Sequence, residues 1–419
     1  MQTSFRTVHH LKALVIACAF ATLGYAQAQA PRDDGLLAGA TGEQAAVVKT
    51  LERLVNIETG TGNAEGLSLM AQLLEAELKA VGASVTRHKA AGAVVGENLV
   101  GVLKGRGGKN LLLMGHMDTV YVKGTLDKAP FRIDGARAFG PGIADDKGGI
   151  AVILHTLRLL KARGFDGFGQ ITVMFNTDEE KGSFGSRELI QSLAKQHDYV
   201  LSFEPTVAIK EMITLGTSGI GYVEVKVKGK AAHAGAAPEQ GVNALTEAAD
   251  LILRTQDIDN KANDLRFNWT IAKSGGVSNI IPDEAIIQAD MRYARNADFD
   301  AALRKLDAAV AKKRLPDAKI EVNVTRGRPA FDAGPAGRRL VEKAVAIYKE
   351  VGAELTVVER TGGGTDAAYA ALDGTPVIEG LGLPGFGYHS NNAEYVMIDA
   401  IPRRLYLASR MIMDLAQGR

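Results

Sequence analysis

Gln170-Ile171-Thr172-Val173-Met174-Phe175-Asn176-Thr177-Asp178-Glu179-Glu180 is an apolar run that ends in three consecutive acids. A run without polar alternation predicts a strand buried on both faces, and such strands belong to parallel sheets covered by helices. The same grammar recurs around it. Residues 98–104, 110–114 and 199–203 read as further short strands, while 42–54, 65–81, 150–160 and 183–194 carry apolar residues at helical spacing. Their alternation predicts an α/β layer, a mostly parallel sheet flanked by helices.

The pattern changes near Gly216. From Tyr222 to Lys228 the chain alternates strictly, with Val223, Val225 and Val227 set against Glu224, Lys226 and Lys228, as in a strand with one wet face. A helix over 242–254, strands over 265–272 and 285–293, a helix over 297–312 and a strand over 319–325 complete the order β-α-β-β-α-β. That is the order of a ferredoxin-like module. Beyond Pro329 the α/β character returns, with helices over 337–351 and 402–415 and strands over 355–359 and 376–379. The expected organisation is one α/β domain made of residues 31–217 and 330–419, with 218–329 inserted into it.

The rest of the composition narrows the function. At 419 residues, 46% apolar and 23% charged, the chain suits a large globular protein. Its 49 Lys plus Arg against 48 Asp plus Glu argue against a nucleic-acid partner and against charge-driven membrane binding. One cysteine excludes a disulfide framework and a Cys-ligated zinc site. Residues 1–30 carry Arg6 and Lys12, an apolar run over 13–21, and the small-residue sites Ala26-Gln27-Ala28 and Ala28-Gln29-Ala30. This is the layout of a secretory signal peptide cleaved after Ala28 or Ala30. A lipobox reading of Val15-Ile16-Ala17-Cys18 leaves almost no apolar core before Cys18. Cleavage would remove two cations and the only cysteine, giving a periplasmic or secreted protein with no membrane attachment.

Of the remaining histidines, His155 sits mid-helix and reads as a packing residue, and His88 and His197 stand among charges and read as surface. The other three keep different company. His116 follows the strand Leu111-Leu112-Leu113-Met114 and precedes Asp118, whose carboxylate can fix the imidazole tautomer as second partners do at zinc histidines. A strand end is where an α/β sheet presents side chains to a ligand crevice. Gly140-Pro141-Gly142-Ile143-Ala144-Asp145-Asp146-Lys147-Gly148-Gly149 is a glycine-rich turn entering a helix, where Asp145 is either an N-cap or a carboxylate offered to a ligand. Asp178, Glu179 and Glu180 fall where a buried sheet ends, and crowded carboxylates there call for cations. Glu204 closes the strand over 199–203, and His389 lies in Gly385-Phe386-Gly387-Tyr388-His389-Ser390. The donors are all nitrogen and oxygen, so zinc leads, with cobalt or manganese as substitutes.

Taken together, His116-Met117-Asp118, the Gly140–Gly149 turn, Asp178-Glu179-Glu180-Lys181-Gly182-Ser183, Ser202-Phe203-Glu204-Pro205 and Gly387-Tyr388-His389-Ser390 occur in the order of one family. The sequence resembles the co-catalytic di-zinc metallopeptidases: aminoacylases, acetylornithine deacetylase, succinyl-diaminopimelate desuccinylase and glutamate carboxypeptidase. Within it the likeness is greatest to secreted bacterial glutamate carboxypeptidases of the folate-cleaving type, down to Arg360-Thr361-Gly362-Gly363-Gly364-Thr365-Asp366. The resemblance implies two zinc ions per subunit bridged by Asp145, with His116 and Glu204 on one ion and Glu180 and His389 on the other. It implies Glu179 as general base, Asp118 as partner of the metal-binding histidine, and release of a C-terminal glutamate from folates or N-acyl glutamates. It also implies a homodimer through the inserted lid, with His233 steadying the oxyanion across subunits. Asn279 and Arg292 match the family's substrate contacts, Arg328 is a second candidate for a carboxylate clamp, and the run Gly362–Gly364 would let a substrate approach the backbone closely. From the residues alone His233 reads as a turn residue, Arg292 equally as a surface ion pair, and Lys210 as a weak contact for a second carboxylate. The rival readings are the same chemistry on another acyl amino acid or dipeptide, and a periplasmic binding protein without turnover.

Overall fold

The computed structural model describes residues 31–390 and 393–419. The leader expected over 1–30 lies outside the described residues. The apolar run that opens the reading forms the strand Gln170–Asn176, whose residues 171–176 are buried. It lies inside a six-stranded sheet in which Ser84–Lys89, Glu97–Lys104, Gln170–Asn176, Asn110–His116, Tyr199–Ser202 and Val377–Ile378 stand side by side in that order. The pairings of 110–116 with 170–176 and with 199–202, and of 377–378 with 199–202, are parallel. Only Glu97–Lys104 runs against the rest, pairing antiparallel on both sides. The sheet is therefore mostly parallel, as its apolar strands predict.

Helices Asp34–Val55, Lys147–Ala162 and Ile401–Ala416 pack together, and Lys147–Ala162 is buried almost throughout. Its buried turns include His155, whose ring reaches Glu43 (2.5 Å) and Thr50 (2.9 Å) and ties this helix to the first one. That agrees with a packing role. His197 departs from expectation. It is buried, with its Nε2 2.7 Å from the Thr172 hydroxyl and Nδ1 2.6 Å from the Leu193 carbonyl. Of its charged neighbours, Lys195 is exposed and Asp198 half-buried, while the ring reaches Thr172 on the strand Gln170–Asn176.

Residues 219–326 build a separate antiparallel sheet in the order Arg266–Ser274, Glu284–Tyr293, Gly219–Lys228, Lys319–Arg326. Helices Ala244–Arg254 and Asn296–Val310 pack against this sheet. This chain order and sheet order are those of a ferredoxin-like module. Val223, Val225 and Val227 are buried at 1%, 0% and 0% exposure, so the alternation reads correctly as one dry face. The module has its own hydrophobic cluster, apart from the larger one beneath the six-stranded sheet.

Candidate metal centre

Register brings the chemistry together. His116 is paired with Asn176, and Met114 with Ser202, so three parallel strands end at one level. His116 closes its own strand, Glu179 and Glu180 occupy the 3-10 turn Glu179–Lys181 after the second, and Glu204 follows the third. The carboxyl ends of parallel strands are where such sheets hold ligands. Asp145 reaches the same place from the turn before Lys147–Ala162, and His389 from a loop where it adopts φ 52°.

Asp145 faces both histidines at once. Its Oδ1 lies 3.0 Å from His116 Nε2 and its Oδ2 3.3 Å from His389 Nε2. Glu204 Oε1 stands 3.8 Å from His116 Nε2, and Glu180 Oε2 stands 3.0 Å from His389 Nε2. The donors thus form two groups, His116–Asp145–Glu204 and Asp145–Glu180–His389, with ligand atoms in each within 4.8 Å of one another. Each group offers nitrogen and carboxylate oxygen only, a set that fits zinc.

Electrostatics argue for the same fit. Burial pushes Glu179 up to about 8 against the opposing pull of Arg328 and His116. Burial likewise raises Glu180, and lifts Glu204 well above the carboxylate range. Burial disfavours the charged ring of His116, but hydrogen bonds to Asp118 and Asp145 outweigh it and raise its pKa well above the usual value. For Asp145 burial is overcome by His116 and His389, which hold it below the carboxylate range. These are groups that borrow protons to relieve one another, the condition that bound cations would lift.

Asp118 does more than hold a ring. His116 Nδ1 lies 2.9 Å from the Asp118 backbone carbonyl and 3.4 Å from its carboxylate Oδ1, so the carbonyl is the nearer partner. The carboxylate accepts instead from the Glu179 N–H (3.0 Å), the Glu180 N–H (3.2 Å) and the Thr61 hydroxyl (2.7 Å), fixing the acidic turn.

The expected substrate contacts divide. A cavity of ≈ 520 Å³ opens beside Asp145 and Glu179, and Arg292 and Gly364 line it. Arg292 is half-buried and paired with Asp290 at 2.9 Å. Arg328 lines the cavity too, but is 6% exposed and turned onto Glu179 Oε1 at 2.7 Å, with Asp366 Oδ1 at 3.6 Å. Its guanidinium is thus shared between two buried carboxylates. Gly364 serves that pairing, since a Cβ there would sit 2.9 Å from Arg328 Nη1. His233 and Asn279 lie elsewhere, exposed on neighbouring segments of the inserted module and absent from the cavity wall. Lys210 is exposed and off the wall, which carries Met212 instead.

Sequence reading missed Asp366, Glu379 and Glu394. Asp366 accepts from Asn176 Nδ2 at 2.7 Å and from Ser183, and burial pushes Glu379, on the cavity wall, up to about 7. Only Asp366 stood in a quoted motif, as the last residue of the Arg360–Asp366 run, and the run gave it no role.

Comparison with known proteins agrees with this architecture. Residues 112–414 match the sequence profile described as Peptidase family M20/M25/M40. The chain is 68% identical over 407 residues to Carboxypeptidase G2 of Pseudomonas sp. (strain RS-16), covering 97% of this chain and 98% of that one. It is 28% identical over 292 residues to the uncharacterized protein YqjE of Bacillus subtilis (strain 168), covering 67% and 75%. Among solved structures, aminopeptidase PepT from Bacillus cereus ATCC 10987 shares the fold at TM-score 0.75 and 24% identity, covering 89% of this chain and 99% of its own. A metallo-carboxypeptidase, Sso-CP2 from Sulfolobus solfataricus, does so at TM-score 0.69 and 15% identity, covering 90% and 99%.

Proposed function

The chain belongs to the peptidase family M20/M25/M40, and from that premise we propose that it is a zinc-dependent carboxypeptidase releasing a C-terminal glutamate from folates, folate analogues or N-acyl glutamates. The single observation that carries the reading is Asp145, one carboxylate with its two oxygens turned to two different histidines, beside the buried Glu179. The relative at 68% identity is a carboxypeptidase by name, which supports the reaction class.

In this reading His116, Asp145 and Glu204 would hold one zinc ion, and Asp145, Glu180 and His389 the other. Bound there, zinc would supply Lewis acidity toward the scissile carbonyl and acidify water. Glu179 takes a proton from the attacking water and returns it to the departing amine, acting as base and then as acid. Asp118 keeps Glu179 in place through the peptide N–H, and Arg328 restrains the Glu179 carboxylate. Arg292, on the cavity wall, serves as the carboxylate clamp, since a guanidinium fork matches a carboxylate. The inserted module would act as lid and as dimer contact, with His233 serving the second subunit's cavity as an oxyanion donor and Asn279 beside it. With the leader over 1–30 removed, the protein would work in the periplasm or outside the cell.

A second reading keeps the chemistry and changes the substrate to a neutral acyl amino acid or dipeptide. The cavity wall favours it in one respect: Val207, Met212, Ile220 and Val358 are apolar, and Lys210 stands off the wall. The deciding experiment is a release assay on zinc-loaded and chelated protein with folate, N-acetylglutamate and a neutral acyl amino acid. Free glutamate from the first two, lost on chelation and restored by zinc, is expected. Preferential cleavage of the neutral substrate would select the second reading, and binding without release by the loaded protein would overturn both.

A further inference from the structure

The turn that carries Asp145 is held by one side chain from the far end of the chain. Glu394 is 4% exposed, and its carboxylate accepts the Gly142 N–H (2.9 Å) on Oε2 and the Ala144 (2.7 Å) and Asp145 (3.0 Å) N–H groups on Oε1. Its own backbone carbonyl accepts a fourth N–H, from Gly140, at 3.1 Å. The Tyr121 hydroxyl adds a further hydrogen bond to the carboxylate. No cation lies within ion-pairing distance of Glu394 among the described residues, so its carboxylate is solvated by the turn N–H groups and the Tyr121 hydroxyl.

The turn has little freedom left. Gly142 has φ +71°, and a Cβ there would meet Thr119 Cγ2 at 2.4 Å. The opposite side of the turn is pinned by Lys147 Nζ, which donates to the Pro141 carbonyl at 3.1 Å and to that of Ile57 at 3.0 Å. Glu394 stands five positions beyond His389 and directly before the strand Tyr395–Met397, which pairs with Arg137–Phe139 just ahead of the turn. The same residue therefore registers the Asp145 turn against the segment that bears His389.

We propose that Glu394 is the positioning residue of the metal centre, setting the main chain of Asp145 so that its two carboxylate oxygens face the two histidines. The inference rests on the metal-centre reading given above. Glu394 touches neither substrate nor metal in this role, and its effect passes through the Asp145 peptide N–H. Partners of this kind set metal affinity by about 10–100-fold.

The test is zinc affinity of the full chain, stripped and then titrated with Zn²⁺ against a chromogenic chelator. Glu394→Gln replaces one acceptor oxygen by an amide that meets a backbone N–H head-on. The expected result is a zinc affinity about 10–100-fold weaker, with the metal-free variant melting close to the metal-free parent. Affinity within threefold of the parent overturns the proposal, including when both metal-free and loaded forms lose stability equally, the signature of a merely structural role. Should Glu394→Gln not fold, Tyr121→Phe carries the test: at least a threefold weaker affinity is expected, and unchanged affinity overturns. A parent protein that takes up no zinc sinks the metal-centre reading instead, which is a distinguishable outcome.

Discussion

Replacing Glu211 by Gln should destabilise the protein far more than an ordinary surface change, for a reason the structure makes specific. The Glu211 carboxylate receives Arg403 Nε at 2.6 Å, Arg404 Nε at 2.8 Å and the Tyr348 hydroxyl. Arg404 is 0% exposed. Its Nη1 donates to the Gly380 carbonyl at 3.1 Å, while its Nη2 has no partner among the described residues. Neutralising Glu211 thus strands a buried guanidinium, and breaking such a pair costs about 3–5 kcal/mol. Gln keeps one acceptor, so the lower end, about 3 kcal/mol, applies. At roughly 2.1 cal/mol/K per residue, a unit of this size has an unfolding entropy on the order of 0.8 kcal/mol/K, so the melting temperature should fall about 4 °C.

The pH dependence follows from the same network. Burial raises the Glu211 pKa, but Arg404, Tyr348 and Arg403 outweigh burial and leave it lowered. A carboxyl with a depressed folded pKa contributes stability that is present above the unfolded value, about 4.3, and lost as pH falls through the folded one. Scanning calorimetry of parent and variant should therefore show a gap at pH 7 that narrows as pH falls below the unfolded value, about 4.3. Arg403→Ala, removing the more exposed partner, should cost about 1 kcal/mol or less. Adding Arg404→Met to Glu211→Gln should recover part of the loss, because the stranded charge goes with it. A Glu211→Gln loss under about 1 kcal/mol, or a gap that does not narrow on acidification, would refute the argument.

Glu179→Gln should lower kcat by about 10²–10⁴-fold while zinc content stays unchanged, measured by product release beside metal analysis; a loss under tenfold would remove Glu179 from proton transfer. Arg328→Met leaves Glu179 and Asp366 without their buried counter-charge, so the metal-free protein should lose about 3–5 kcal/mol in denaturant unfolding. Arg292→Ala should leave stability nearly unchanged and act on KM, because its partner Asp290 is itself part-exposed and the guanidinium borders the cavity. An unchanged KM with any carboxylate-bearing substrate would count against the clamp.

How much of this was legible beforehand depended on range. Strands that run parallel and unbroken end together, so His116, Glu179, Glu180 and Glu204 were placed by the apolar runs preceding them. The run Asp178-Glu179-Glu180 could not be divided among roles, because a 3-10 turn sends successive side chains about 120° apart and only the tertiary surroundings sort them. Asp178 turns back to the Gly185 N–H and the Ser186 hydroxyl, Glu179 meets Arg328, and Glu180 meets His389. Glu394 and Asp366 were invisible for the complementary reason. Their partners lie at Gly142–Asp145 and at Asn176 and Ser183, far off in sequence, and no periodicity announces a carboxylate that caps a distant turn.

Arg328 combines a place on the cavity wall with two buried acidic partners. It follows the strand Lys319–Arg326, at the point where the inserted module returns to the α/β layers. Its carbonyl accepts from the Ile220 N–H at 2.8 Å and from the Tyr293 hydroxyl at 3.3 Å, so it is one of the residues that fasten the outgoing and returning chains of the module. Its guanidinium meanwhile grips Glu179. Taking Arg328 from Glu179 and Asp366 would leave two buried acids unpaired. Arg292, by contrast, is half-buried, and its partner Asp290 is a neighbour on its own strand. The returning end of the inserted module is thereby joined to Glu179 and Asp366 through buried ion pairs.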